Sequence, residues 1–153
     1  MKILQLHTHN DTTPFQSGMK ALLVHYQDQL LDTLSAPTPD DLLHNTLTCM
    51  PYLWVVVPPS PCPLELPSVL AIAALADILP KKQANIHGIA HPALRRHAIM
   101  KTLRNVMFQI AREHLGLKQI NATVNQQNKA AKGFCWQAGF QYQATMLHYT
   151  LQL

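Results

Sequence analysis

The stretch Val124-Asn-Gln-Gln-Asn128-Lys-Ala-Ala131-Lys-Gly-Phe134-Cys135-Trp-Gln-Ala-Gly139-Phe140 decides the fold: a strand end, a short helix and the entry to another strand. Asn128 can cap the helix by accepting a backbone N–H of its first turn. Gly139 supplies a terminator that needs positive φ, and Phe140 then anchors the next strand in the core. The helix is predicted over 128–138.

Upstream lies a second informative stretch, Asn85-Ile-His-Gly-Ile-Ala-His-Pro-Ala-Leu-Arg-Arg-His-Ala-Ile-Met100. Residues 85–91 read as a strand ended by Pro92, and 95–115 as the longest helix. Ile99, Leu103, Val106, Met107 and Ile110 form its apolar stripe, and Gly116 is placed as its C′ residue. A strand feeding a helix through a tight loop aims free N–H groups at one spot, where the helix dipole favours a phosphate. Arg95 and Arg96 would add charge-assisted donors there; the alternative is a solvated pair.

Working outward, 2–7 is a short first strand and 14–34 a helical stretch broken by Pro37 and Pro39. Thr38 or Asp40 can cap a second helix with Leu42, Leu43 and Leu47. Tyr52–Val57 is a β-branched and aromatic run typical of a buried strand. The prolines from Pro58 to Pro67 make an extended connector, and 69–78 is a third strand, although its alanines would also suit a helix. Residues 119–124 form a fifth strand, and 142–153 one or two more. The expected architecture is α/β (α+β): one domain over 1–153, with a mixed, mostly antiparallel sheet of six to seven strands flanked by about four helices.

Hydrophobic residues make up 48% of the 153 and charged residues 13%, which argues against disorder. No apolar run approaches the roughly 20 residues of a membrane span. The first residues turn polar too soon for a signal peptide. Cys49, Cys62 and Cys135 lack CxxC spacing, so reduced thiols in a cytoplasmic protein are expected, with no metal site. Charge is lopsided: residues 1–80 hold two bases and seven acids, whereas 81–153 hold ten bases and one acid, Glu113. A polyanion should meet the second half, either nucleic acid or a phosphate-rich cofactor.

The two stretches together resemble the GNAT superfamily of N-acetyltransferases. The family's pyrophosphate loop, Arg/Gln-x-x-Gly-x-Gly/Ala, matches Arg95-x-x-Ala98-x-Met100, with both glycines replaced. Its Asn-x-x-Ala-x-x-hydrophobic-Tyr-x-x-hydrophobic-Gly-Phe segment is matched by Asn128, Ala131, Phe134, Ala138, Gly139 and Phe140, with Cys135 at the tyrosine. The resemblance implies a GNAT-like fold, acetyl-CoA or another short acyl-CoA as cofactor, and acyl transfer to a primary amine by direct attack. It implies a cofactor-binding core in 85–140, made by Ile89, Ala90, His91, Arg95, Arg96, His97, Ala98, Ile99, Met100, Asn128 and Lys132. A backbone N–H of Ile89–Ala90 would polarise the thioester carbonyl, and the helices of 1–50 would shape the acceptor side.

The cofactor strand lacks a glutamate. His87, with an ordinary pKa near 6.5, suits a general base but could be structural; a water relayed to Asp40 is another route. Cys135 could protonate the leaving thiolate or be a small buried hydrophobe, with Tyr142 and Tyr149 as fallback donors. Asn128 could serve as a helix cap, a cofactor contact or both. The acidic first half mildly favours a cationic acceptor, a small-molecule amine or a peptide or protein amine. Two other classes are a CoA-binding module without catalysis and a nucleic-acid binder. No nucleic-acid signature appears, so neither nucleic acid nor membrane is an expected partner. Apolar residues near Trp54 and the proline connector leave room for a homodimer.

Overall fold

A computed structural model describes residues 1–6, 11–26, 38–60, 66–124, 128–143 and 148–153. Its elements run β1 (Lys2–Leu6), α1 (Thr13–His25), α2 (Pro39–Cys49), β2 (Tyr52–Val57), β3 (Ala71–Leu79), β4 (Gln83–Ala90), α3 (Ala98–Gln109), β5 (Gln119–Thr123), α4 (Lys129–Gln137), β6 (Gln141–Gln143) and β7 (His148–Gln152). The seven strands make one sheet in the order β1-β2-β3-β4-β5-β7-β6. Every neighbouring pair is antiparallel except β4 and β5. The expected mixed, mostly antiparallel sheet with four helices is the architecture observed.

Strand alternation splits the core into two layers. Ile72, Ala74 and Ala76 of β3 pack with Leu22 and Leu23 of α1 and Leu42 and Leu43 of α2. Ala71, Ala73 and Leu75 face the other way, onto Leu103 and Met107 of α3 and Cys135 of α4. The alanine-rich stretch of β3 is therefore a strand: its small side chains let helices approach both faces. Trp54 is 1% exposed inside the second layer, in keeping with the buried strand expected over Tyr52–Val57. The large apolar side chains that do reach solvent include Leu79, Trp136 and Tyr142.

Helix ends follow local chemistry. Thr38 caps α2, accepting the Asp41 N–H at 3.1 Å. Helix α4 ends as a Schellman motif: Phe140 N–H donates to Cys135 O at 2.9 Å and Gly139 N–H to Trp136 O at 3.1 Å. Gly139 holds φ +85°, and Phe140 packs near Phe108 and Phe134. Helix α1 ends at His25, and Tyr26, expected inside it, is its C-cap in a turn; the rest of the helix expected to residue 34 lies outside the described residues, as do His7 and Cys62. The long helix also differs from expectation. Residues Pro92–Leu94 form a separate 3-10 turn, α3 begins only at Ala98, and its last turn, Ile110–His114, is π-helical. Gly116 follows at φ +61°.

Candidate functional site

The parallel strands β4 and β5 pair over three positions only, Gln83↔Gln119, Ala84↔Ile120 and Asn85↔Asn121. Strand β4 then continues to Ala90 on its β3 partner alone. The sheet opens there into a V, with Ile86–Ala90 along one edge. His91 N–H donates to Leu70 O at 2.7 Å, on the β3 side. Alternation therefore turns Ile89 and His87 N–H toward β3, and Gly88 and Ala90 N–H into the open edge. Gly88 and Ala90 are exposed. Of the expected Ile89–Ala90 pair, only the Ala90 donor faces the opening, and Gly88 joins it.

At the far end of β4, His91 and His97 act locally. The His91 imidazole accepts the Ala93 N–H at 3.2 Å through Nδ1, and the His97 imidazole accepts the Ile99 N–H at 3.1 Å, capping α3. Arg95 and Arg96 thus precede the helix instead of opening it. Arg96 stands at φ +62°. Both arginines are exposed, and the salt bridge found among the described residues is elsewhere, Lys20 to Asp40. The N–H groups of Arg96 and Ala98 are likewise left without a protein acceptor. Ala98 is the exposed first residue of α3, while Ile99 and Met100 turn into the core. Met100 therefore does not fill the loop in place of the missing glycine. An anionic ligand fits this end, where two unpaired cations and two free N–H groups gather beside a helix start.

The remaining residues divide between the two faces of the sheet. Asn128 caps α4, accepting the Ala131 N–H at 3.0 Å; Lys132 sits one turn on, half-buried. Cys135 is 2% exposed, and burial pushes its thiol up to about 11. Tyr149 of β7 lies on the same side; burial first, then the neighbouring Cys135 and Tyr142, raise its phenol. His87 projects to the α1/α2 face. It borders a hollow of about 20 Å³ shared with Leu23, Thr46, Met50, Ile72 and Ala74, room for roughly one water. Burial holds its pKa below 6.5, and the charge of Asp77 opposes that shift.

Asp77 was not among the residues singled out from sequence. It lies in a β-bulge of β3 at φ +49°, and accepts a hydrogen bond from Asn85 Nδ2 at 2.8 Å. Its one signal was an acid interrupting an apolar strand. No group of His, Cys, Asp and Glu among the described residues could hold a metal ion, and no described helix is long and apolar enough to cross a membrane.

Neither protein-family models nor curated protein sequences match the chain. Solved structures do. It is similar to a single-site mutant of the spermidine N-acetyltransferase SpeG from Vibrio cholerae, with TM-score 0.68 and 13% identity over 99% of this chain and 95% of that one. It is similar to a GNAT-family acetyltransferase from Bacillus anthracis, with TM-score 0.68 and 8% identity over 99% and 95%. A ribosomal-protein alanine acetyltransferase from Vibrio fischeri gives TM-score 0.67 and 11% identity over 98% and 91%. The chain has the GNAT acetyltransferase fold.

Proposed function

We propose that the chain is an acyl-CoA-dependent N-acetyltransferase that moves an acetyl or short acyl group to a primary amine by direct attack. The observation that carries this reading is the V between β4 and β5, with outward N–H groups along one arm and unpaired arginines at its end. When bound, acyl-CoA supplies the acyl group as a thioester. The Arg95 and Arg96 guanidinium groups and the Arg96 and Ala98 N–H groups would hold its phosphates. Asn128, already a helix cap, and Lys132 border the same side. One of the outward N–H groups of Gly88 and Ala90, which lie roughly 7 Å apart along the strand, would donate to the thioester carbonyl oxygen, stabilising negative charge as it develops.

His87, neutral at pH 7 because its pKa is lowered, takes a proton from the amine on the α1/α2 side. That makes the α1/α2 layer the acceptor side. Named acceptors of the similar structures include spermidine and a ribosomal protein, which agrees with an amine of either size. Cys135 is enclosed by core and holds its proton tightly; half-buried Tyr149 is the more accessible donor to a leaving thiolate.

Calorimetric titration with acetyl-CoA and with adenosine, followed by a thiol-release assay over a panel of primary amines, tests the proposal. Micromolar acetyl-CoA binding with thiol release on one amine is the expected result. Failure of the folded protein to bind acetyl-CoA overturns it. Binding without release on any amine would identify a CoA-binding module, the reading that the replacement of the family's tyrosine by Cys135 favours.

A further inference from the structure

Strand β3 changes its facing at Asp77. Ala71, Ala73 and Leu75 pack toward α3, and the next β3 side chain in that layer is Ile78, not residue 77. The register with β4 slips between Ala76 and Leu79, so Asp77 is the inserted residue, turned to the opposite face. Its φ of +49° is a conformation that side-chain-bearing residues adopt at a cost. On that opposite face it accepts the Asn85 amide at 2.8 Å. Asn85 is the last β4 residue paired with β5, and His87 follows on the same face roughly 7 Å along the strand.

Asp77 and His87 do not form an ion pair within 4.0 Å. Asp77 is near enough to act on the His87 imidazole through its charge, and two hydrogen bonds through one intervening nitrogen would span about 6 Å. Asp77 is exposed, so the approach is open to solvent. Resting on the acetyltransferase reading above, we propose that Asp77 is the acceptor-binding residue, its carboxylate holding the incoming ammonium beside His87 at the closed end of the V. The ammonium donates one N–H to Asp77 and surrenders one proton to the His87 imidazole, which becomes imidazolium. The amine nitrogen is left neutral, and its lone pair would form the new C–N bond at the thioester carbonyl carbon as the C–S bond breaks. The nitrogen's second proton passes to solvent, and the departing thiolate takes a proton from the Tyr149 side. A bulge is the means of bringing a carboxylate to this point, because regular alternation would have buried residue 77 under α3.

Asp77→Asn tests this cleanly. Asparagine tolerates positive φ as aspartate does, and its side-chain oxygen can keep the Asn85 bond, so the bulge stays while the charge goes. The KM for whichever of spermidine, L-lysine or an alanyl dipeptide is turned over should rise about tenfold, with the acetyl-CoA Kd unchanged. His87 should also titrate at lower pH by NMR, because the charge that opposes its burial shift is gone. Of the ionisable groups on the elements packed around His87 (Lys20, His25, Asp40, Asp41, His44 and Asp77), Asp77 alone acts on it. An unchanged KM in a variant that still binds acetyl-CoA overturns the assignment, and Asp77→Gly, which keeps the bulge without any side chain, should show the same loss. Failure of acetyl-CoA binding would sink the enzyme reading instead. The His87 titration needs neither ligand: an unmoved value overturns the Asp77–His87 pairing on its own.

Discussion

Arg96→Gly should make the protein more stable and bind acetyl-CoA less well. The left-handed backbone of Arg96, φ +62°, costs a residue with a side chain about 1–2 kcal/mol. Glycine removes that strain but loses about 0.5–1 kcal/mol more chain entropy on folding. The net gain is about 0.5–1 kcal/mol, or a Tm higher by about 1–4 °C for a chain this long. The same change deletes an exposed guanidinium that has no carboxylate partner among the described residues. A charge-assisted bond to phosphate is worth about 1.5–3 kcal/mol, and solvent screening reduces that to about 1–2 kcal/mol at this surface. Acetyl-CoA should then bind about 5–30-fold more weakly. Thermal unfolding and calorimetry read the two effects separately, with Arg95→Ala as the comparison. That residue has φ −57°, so its loss should weaken binding without raising Tm. Arg96→Gly binding acetyl-CoA as tightly as wild type would refute the phosphate role, and a lower Tm would refute the strain argument.

Four further outcomes are expected. Gly18→Ala should lower Tm by a few degrees, because its Cβ would meet Ser68 Oγ and stand 2.9 Å from Val69 Cγ2 and 3.0 Å from Val69 N. The backbone there cannot step aside, and overpacking of about 1–3 kcal/mol outweighs about 1 kcal/mol of helix propensity. At pH 8, peptide mapping after iodoacetamide should find Cys49 alkylated and Cys135 intact, since one is exposed and the other a buried thiol pushed up to about 11. Because the folded state keeps that proton above 9.0, stability should fall as pH rises from about 9 to 11, and Cys135→Ala should reduce the slope. Tyr149→Phe should lower kcat with little change in KM, whereas Cys135→Ala should leave kcat within a few-fold of wild type; the reverse pattern would reinstate Cys135 as the proton donor.

Much of the architecture was legible because local and global signals agree along this chain. Asn128 and Gly139 mark the ends of α4 by side-chain capping and positive φ, both local effects that sequence states directly. The run Tyr52–Val57 reads as a strand on composition alone. The start of α3 was misplaced by three residues because a histidine serves as its cap, and histidine is not a residue that advertises a helix start. Trp54 lies in the Tyr52–Val57 run and is buried, as the composition implied. The β3 alanines were ambiguous: they carry little propensity for either element, and only close helix packing on both sides selects a strand.

The site divides the same way. The proposed phosphate end could be read from Arg95, Arg96 and the strand-to-helix change, since charge and chain direction are written in sequence. The proposed acceptor end could not. Among the described residues, three without glycine's freedom hold positive φ: Asp77, Lys81 and Arg96. Lys81 sits in the tight β3–β4 turn, where such a conformation is the ordinary solution to reversing the chain. The other two stand at opposite ends of the opened stretch of β4, one turned toward the His87 face and one beside the helix start. Non-glycine strain of this kind persists only where the surrounding structure enforces it. Hydrophobic patterning would bury residue 77, and a glycine at 96 would relieve the chain. At each position a charged side chain is held in the costlier conformation, and under the proposed function the two charges would stand at the acceptor and phosphate ends of one path, a link that no local sequence signal states.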